Sequence, residues 1–157
     1  MKSKFLMLIL LLGLTGIIAA QTEMPVGLTD RATLQSGEFG AHFFLEYQAY
    51  SPCRQTIDKL KNKIYTSSIT LVLATWCHDS QQQVPRFFKI LDELDYNTNN
   101  VKIITVDKDK LAGDVDISDL NIELVPTFIF HKNNNETGRI IESPTESLEK
   151  DMYKIVF

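Results

Sequence analysis

The sequence predicts one α/β domain, a central mixed sheet flanked by helices. Three observations lead there. Short apolar, β-rich runs alternate with segments of helical periodicity through the second half of the chain. The 157 residues are 44% hydrophobic and 23% charged, an ordinary globular balance with enough apolar mass for one core. There is no repeat, long linker or second set of apolar segments, and a three-layer arrangement fits the element order.

The chain opens on a segment expected to lie outside the fold. Lys2 and Lys4 precede an almost wholly apolar run, Phe5 to Ile18, and Ala19-Ala20 stand before the polar Gln21. This reads as a signal peptide over residues 1–20, cleaved at or next to Ala20. The run is shorter than the ~20 apolar residues of a membrane span, and no charged stop follows it. No stable membrane span is therefore expected after cleavage, and no cysteine stands at the cleavage site to carry a lipid. The expected location is periplasmic or extracellular, where disulfides persist. Losing the two lysines would take the formal charge from -4 to -6.

Residues 21–50 read as a loose lead-in (21–30) and a helical extension. Phe39, Phe43, Tyr47 and Tyr50 recur on one helix face, a packing stripe with Phe44 at its edge. The main domain spans 51–157. Ser51-Pro52 predicts a helix over 52–64, serine capping and proline at the first helical position. Ser68–Thr75 is a buried strand. Val84, Phe88, Leu91 and Leu94 repeat at helical spacing, Val101–Val106 is a second strand, and Ile117–Leu124 suits a short helix. Thr127–His131 and Gly138–Glu142 are strands around a polar turn, Lys132–Thr137. Ser143-Pro144-Thr145-Glu146 reads as a capping box opening the last helix.

The charge balance and the absence of a Lys/Arg cluster exclude a phosphate-tracking nucleic-acid binder. His42 and His131 have no ligand partners at a useful spacing, and Cys77 with His78 falls short of the four ligands zinc prefers. No metal or other cofactor is expected. Asn135-Glu136-Thr137 matches a glycosylation acceptor in a host that modifies exported proteins. Phe43-Phe44 and Phe87-Phe88 read as core, and Gln81-Gln82-Gln83 as a solvated helical face.

The chemistry-bearing segment is Trp76-Cys77-His78-Asp79-Ser80, where the first buried strand hands over to a helix. A cysteine at a helix start meets unpaired N–H groups and the positive end of the macrodipole, which favour a thiolate. A thiolate is the nucleophile of disulfide exchange. An imidazolium at His78 would assist it and a carboxylate at Asp79 would oppose it, so Asp79 reads as a helix cap.

Trp76-Cys77 after a buried strand, Pro85 eight residues further on within the helix, and Val125-Pro126-Thr127 opening a later strand together resemble the thioredoxin superfamily. The resemblance covers Ile69 to Phe157. Its Trp-Cys-x-Asp form, with Gln82 to Pro85 following, is similar to a thioredoxin-like branch that carries a helical N-terminal extension in place of the usual opening strand. It implies a thioredoxin-like fold in which Cys77 is the attacking cysteine. Trp76 and His78 would flank the substrate groove, Pro126 would be the cis-proline, and the Val125 backbone would pair with an extended substrate. Pro85 falls on the helix-kinking proline.

Two positions depart from the family pattern. Ser80 stands where the second cysteine belongs, which makes Cys77 a monothiol site. Ser80 could donate a hydrogen bond to the thiolate but could not close a disulfide. Leu71 replaces the buried acid six residues before Cys77. Cys53, at the start of a helix whose N-terminus should lie at the same end of the sheet, is the candidate resolving thiol; a bridge would need Cα atoms within about 7 Å.

With the signal peptide, the resemblance implies a secreted thiol–disulfide oxidoreductase acting by mixed disulfides on an extended polypeptide or a small thiol, resolved by Cys53 or an external thiol reductant. The alternatives are a redox-inactive binding module of the same fold and, last, a thiol peroxidase, against which Ala74 stands where that branch has a threonine.

Overall fold

The computed structural model describes residues 26–157, so the signal-peptide reading of 1–20 lies outside the described residues. The elements in order are β1 (Gly27–Thr29), α1 (Arg31–Leu34), α2 (Gly37–Ala49), α3 (Arg54–Lys61), β2 (Ser68–Leu73), α4 (His78–Glu93), β3 (Val101–Thr105), β4 (Thr127–Lys132), β5 (Asn135–Ile141) and α5 (Leu148–Val156). They build one mixed sheet of strand order β1-β3-β2-β4-β5. Only β2 and β3 are parallel, joined through α4; every other neighbour is antiparallel. Strand β2 is central because its sequence, SITLVL, is apolar or β-branched after the first residue and is buried at every later position.

The two faces of the sheet are covered differently. Ile69, Leu71 and Leu73 share one face with Ile103, Phe128 and Phe130, and buried residues of all five helices join them in one cluster. The period of two along each strand puts Val72, Ala74, Ile104 and Val106 on the other face. There they pack with Ala112, Val125, Val115, Ile117, Leu120 and Ile122, all from the β3–β4 connection. The three-layer expectation is thus corrected: helices form one layer, and an irregular segment takes the place of the other. That segment does not become helical because its own side chains occupy its backbone. Asp107 Oδ1 accepts the N–H groups of Asp109 and Leu111, each at 2.9 Å, and Asp116 Oδ1 accepts that of Ser118 at 3.0 Å. The helix expected at Ile117–Leu124 reduces to a 3-10 turn, Ser118–Leu120, ended by Asn121 at φ 50.

Other boundaries also shift. Part of the lead-in joins the sheet as β1, where Gly27 at φ 102 pairs with Thr105, whose hydroxyl donates to the Gly27 carbonyl at 3.1 Å. Helix α3 starts two residues late, with Cys53 rather than Ser51 at its cap. The polar turn contracts to Asn133-Asn134, both at positive φ, so the hairpin strands run longer than expected. The last helix is capped at Ser147, and Thr145 N–H donates at 2.5 Å to Asp151 instead of completing a capping box with Glu146.

The aromatic stripe of α2 packs as expected, with Phe43 buried against Phe88 of α4 at a ring separation of 5.7 Å. Polar clamps hold the extension to α4. Arg31 donates to both Asp92 oxygens at 2.7 and 2.6 Å while its guanidinium lies 4.9 Å from the Phe88 ring centre. Tyr47 Oη donates to Asp92 at 2.6 Å, and Arg86 pairs with Glu46 at 2.7 Å.

Burial pushes the Asp92 carboxyl up, but the hydrogen bonds from Arg31 and Tyr47 outweigh it and hold the group below its ordinary value. A depressed folded-state value stabilises the fold above the unfolded carboxylate value, and that contribution is lost as pH falls through the folded one. Urea unfolding should therefore show stability declining below about pH 4. Asp92→Asn should be less stable than the parent at pH 7 and lose less on acidification. A variant with the parent's full acid dependence would remove Asp92 as a source of it.

Candidate functional site

Strand β2 ends at Leu73, and four residues carry the chain into α4. Ala74 is fully buried, Thr75-Trp76 turn, and Cys77 occupies the cap position of α4. Cys77 N–H donates to the Ala74 carbonyl at 3.0 Å, and its own carbonyl accepts Gln81 N–H at 3.0 Å. The sulfur does not cap the helix. Its S–H donates to the Val125 carbonyl at 3.1 Å. The Val125–Pro126 peptide bond is cis. Pro126 is buried, and its carbonyl accepts Glu142 N–H at 2.7 Å. The tip of one connection is thus brought against a sulfur 48 residues earlier in the chain.

Around this pair, Cys77 is half-buried and His78 is exposed. Trp76 keeps 37% of its surface exposed, and Leu124 beside Val125 keeps 43%. An extended chain laid past the sulfur would meet an indole on one side and the Val125 backbone on the other. Asp79 is half-buried in the first turn of α4 and accepts from Ser143 Oγ at 3.5 Å, so it faces the β5–α5 connection.

Two sequence readings change here. Ser80 is fully buried, and its hydroxyl oxygen accepts Ala74 N–H at 3.3 Å. It braces the turn from within and does not direct its oxygen at the sulfur. A residue so enclosed cannot touch a substrate, so the role foreseen for it at the thiolate is replaced by one in the turn. Gln81, read as part of a solvated face, donates from Nε2 to the Thr75 carbonyl at 3.0 Å, and Gln83 is itself buried. Ser80 and Gln81 together fasten the Ala74 N–H and the Thr75 carbonyl to the first turn of α4. The only sequence signal for Gln81 was its place one turn beyond Cys77.

Cys53 does not join Cys77; both are free thiols. Cys53 is exposed at the start of α3, and its N–H donates to Glu149 Oε1 at 3.0 Å. Glu149, nearly fully buried in α5, also accepts from Tyr50 Oη at 2.6 Å. Cys53 is thereby tied to α5, whereas Cys77 lies against Val125. The hydrogen bond with the Thr56 side chain leads the effects that hold the Cys53 thiol below its ordinary value. Leu71 is fully buried between Ile103 and Phe128, with no carboxyl behind the site at that position. His131 Nε2 lies 3.2 Å from Thr70 Oγ1 in the sheet, apart from the sulfur. Among the described residues no group of three or more His, Cys, Asp or Glu is arranged to hold a metal, and no helix is long and apolar enough to cross a membrane.

Comparison with known proteins places this arrangement. A family model described as "Thioredoxin" matches residues 54–154. Thioredoxin H2 of Arabidopsis thaliana is 31% identical over 97 residues, which is 60% of this chain and 68% of that protein. A solved Pseudomonas aeruginosa protein of unknown function superposes with a TM-score of 0.62 at 14% identity, covering 82% of this chain and 92% of its own. An HIV epitope scaffold superposes with a TM-score of 0.61 at 13% identity over the same shares. Both structural likenesses speak to the fold alone, and they cover more of the chain than the family match does.

Proposed function

Because this chain belongs to the thioredoxin family, whose members act on protein thiols and disulfides, we propose that it is an exported thiol–disulfide oxidoreductase that works through Cys77 alone. The observation that carries the reading is the half-buried Cys77 sulfur at the start of α4, 3.1 Å from the Val125 carbonyl and open beside Trp76.

The chemistry follows from that geometry. Cys77 loses its proton to solvent, and the thiolate attacks one sulfur of a substrate disulfide. A new S–S bond joins Cys77 to that sulfur, and the other leaves as a thiolate, so electrons balance within the exchange. An extended substrate segment takes the Val125 carbonyl by a backbone N–H once the sulfur gives it up, aligning the disulfide along the Trp76 side. Ser80 offers no second sulfur. The mixed disulfide is therefore resolved by an external thiol: its thiolate attacks the substrate sulfur, the bond to Cys77 breaks and Cys77 leaves as the thiolate, and a second reductant thiol releases the substrate thiol from the new mixed disulfide, leaving the reductant as its own disulfide. Export, read from residues 1–20, would supply an oxidising compartment in which such adducts form.

The direct test is turnover of a polypeptide disulfide such as that of insulin, with a monothiol reductant supplied in excess. The expected result is a rate that rises in proportion to protein and saturates with reductant. A rate equal to that of the reductant alone would remove the catalytic reading. The buried Ser80, where a second cysteine would stand, favours one other reading, a binding module that keeps the groove without turnover. In that case Cys77→Ser would bind an extended thiol-free peptide as tightly as the parent, with no disulfide reduction by either.

A further inference from the structure

Trp76 stands beside the Cys77 sulfur, yet core packing does not hold its indole. Among the described residues it belongs to neither apolar cluster, and 37% of its surface stays exposed. The place of the ring therefore follows from the backbone that carries it. The peptide joining Thr75 to Trp76 is planar, so anchoring the Thr75 carbonyl anchors the Trp76 nitrogen with it. That carbonyl accepts Gln81 Nε2 at 3.0 Å. Side chains on a helix lean toward its N-terminus, and the glutamine at position 81 is long enough to reach back past Cys77 to Thr75. Its own backbone N–H donates to the Cys77 carbonyl at 3.0 Å. One residue thus grips the chain on both sides of Trp76, while its carboxamide N–H is turned toward Thr75 and not toward the sulfur.

Resting on the thiol-exchange reading, we infer that Gln81 is a positioning residue for extended substrates: through the Thr75 carbonyl it holds the Trp76 indole where a polypeptide is laid past Cys77. The exchange is the one given above, and Gln81 makes and breaks no covalent bond in it. Removing its donor frees the Thr75–Trp76 peptide to rotate. A substrate that leans on the indole then loses a formed wall, whereas a small disulfide that meets only the sulfur does not.

The test compares two disulfides with the same activated leaving group, one on an extended peptide and one on a methyl thiol. The readout is adduct formation at Cys77, separated from Cys53 by peptide mass. In Gln81→Ala, and in Gln81→Glu, which keeps the length but loses the donor, the peptide should react about fivefold more slowly at low concentration, the effect expected of one hydrogen bond. The loss should lie in the half-saturating concentration and not in the limiting rate, and the methyl disulfide should react at close to the parent rate. Trp76 is the chain's single tryptophan, so its fluorescence reports the ring directly: anisotropy should fall and quenching by acrylamide should rise in both variants. Trp76→Ala should slow the peptide as well, and adding Gln81→Ala to it should slow it no further. An unchanged peptide rate, equal losses with the two disulfides, or additive losses in the double variant would overturn the inference and leave the thiol reading standing. No adduct at Cys77 of the parent with either disulfide would overturn the thiol reading and this inference with it.

Discussion

Cys77→Ser is expected to cut disulfide turnover by roughly 100-fold or more, to the background of the reductant. A serine hydroxyl at neutral pH is a weak nucleophile without a base bonded to it, and among the described residues the position-77 side chain meets the Val125 carbonyl, not His78 or Asp79. The fold should be untouched. The side chain is half-buried, its one hydrogen bond among the described residues is to the Val125 carbonyl, and a serine hydroxyl can donate to the same oxygen. Urea unfolding should thus give a stability within about 1 kcal/mol of the parent, separating chemical loss from unfolding. Turnover persisting in the folded variant would assign the activity to the other cysteine or to none.

Ser80→Cys should have the opposite effect and turn a monothiol site into a dithiol one. Positions three apart on a helix place their Cα atoms about 5 Å apart, within the Cα separations of about 4.4–6.8 Å that a disulfide accepts. Cys77 is the cap of α4 and position 80 sits in its first turn, so the new sulfur lies one helical turn from the old. Oxidation should then remove two titratable thiols per chain, and reduction of a polypeptide disulfide should no longer depend on an external thiol to release the adduct, raising single-turnover release by at least about tenfold. The substitution also removes the hydroxyl that accepts Ala74 N–H. Losing one hydrogen bond to a buried N–H costs about 1–3 kcal/mol, so the variant should be less stable when reduced. A variant that keeps its thiols under mild oxidant would mean that the first turn of α4 holds the two positions apart.

The site was readable in the sequence where local signals agreed. A β-branched apolar run, a cysteine at its end, a proline inside the following helix and a Val-Pro-Thr opening a later strand are each local patterns. The structure assembles them around one sulfur. The Phe39-Phe43-Tyr47 stripe was readable for the same reason, since a period of 3.6 survives without knowledge of its partner. What escaped was set by contacts between distant segments. Strand β1 is three residues long with no periodicity of its own, and exists because Thr105 and its neighbours pair with it. The 107–123 connection carries helix-compatible apolar spacing near Ile117, but its aspartates hold the backbone in turns. Asn133-Asn134 gave no glycine to mark a tight hairpin, although asparagine tolerates the left-handed region.

The same distinction explains the individual residues. That Ser80 faces Ala74, and that Gln81 reaches back to Thr75, depends on how β2 meets α4, which no spacing rule encodes. Cys53 stood at the right end of the sheet by topology, but α3 begins two residues later than the Ser51-Pro52 signal suggested, and its first N–H is taken by the buried Glu149. A helix start at the same end of a sheet as a strand terminus does not by itself bring two sulfurs together, and both cysteines are free.

In the proposed exchange Cys77, aligned by Val125, is the sulfur that joins an extended substrate. This is tested most directly by trapping: an extended peptide bearing one activated disulfide is mixed with the reduced protein, and the linked residue is identified by peptide mass. A covalent adduct at Cys77 is expected, formed faster than with the activating group alone because the peptide backbone adds its pairing to Val125. An adduct confined to Cys53, or a rate at Cys77 indifferent to the peptide, would contradict it.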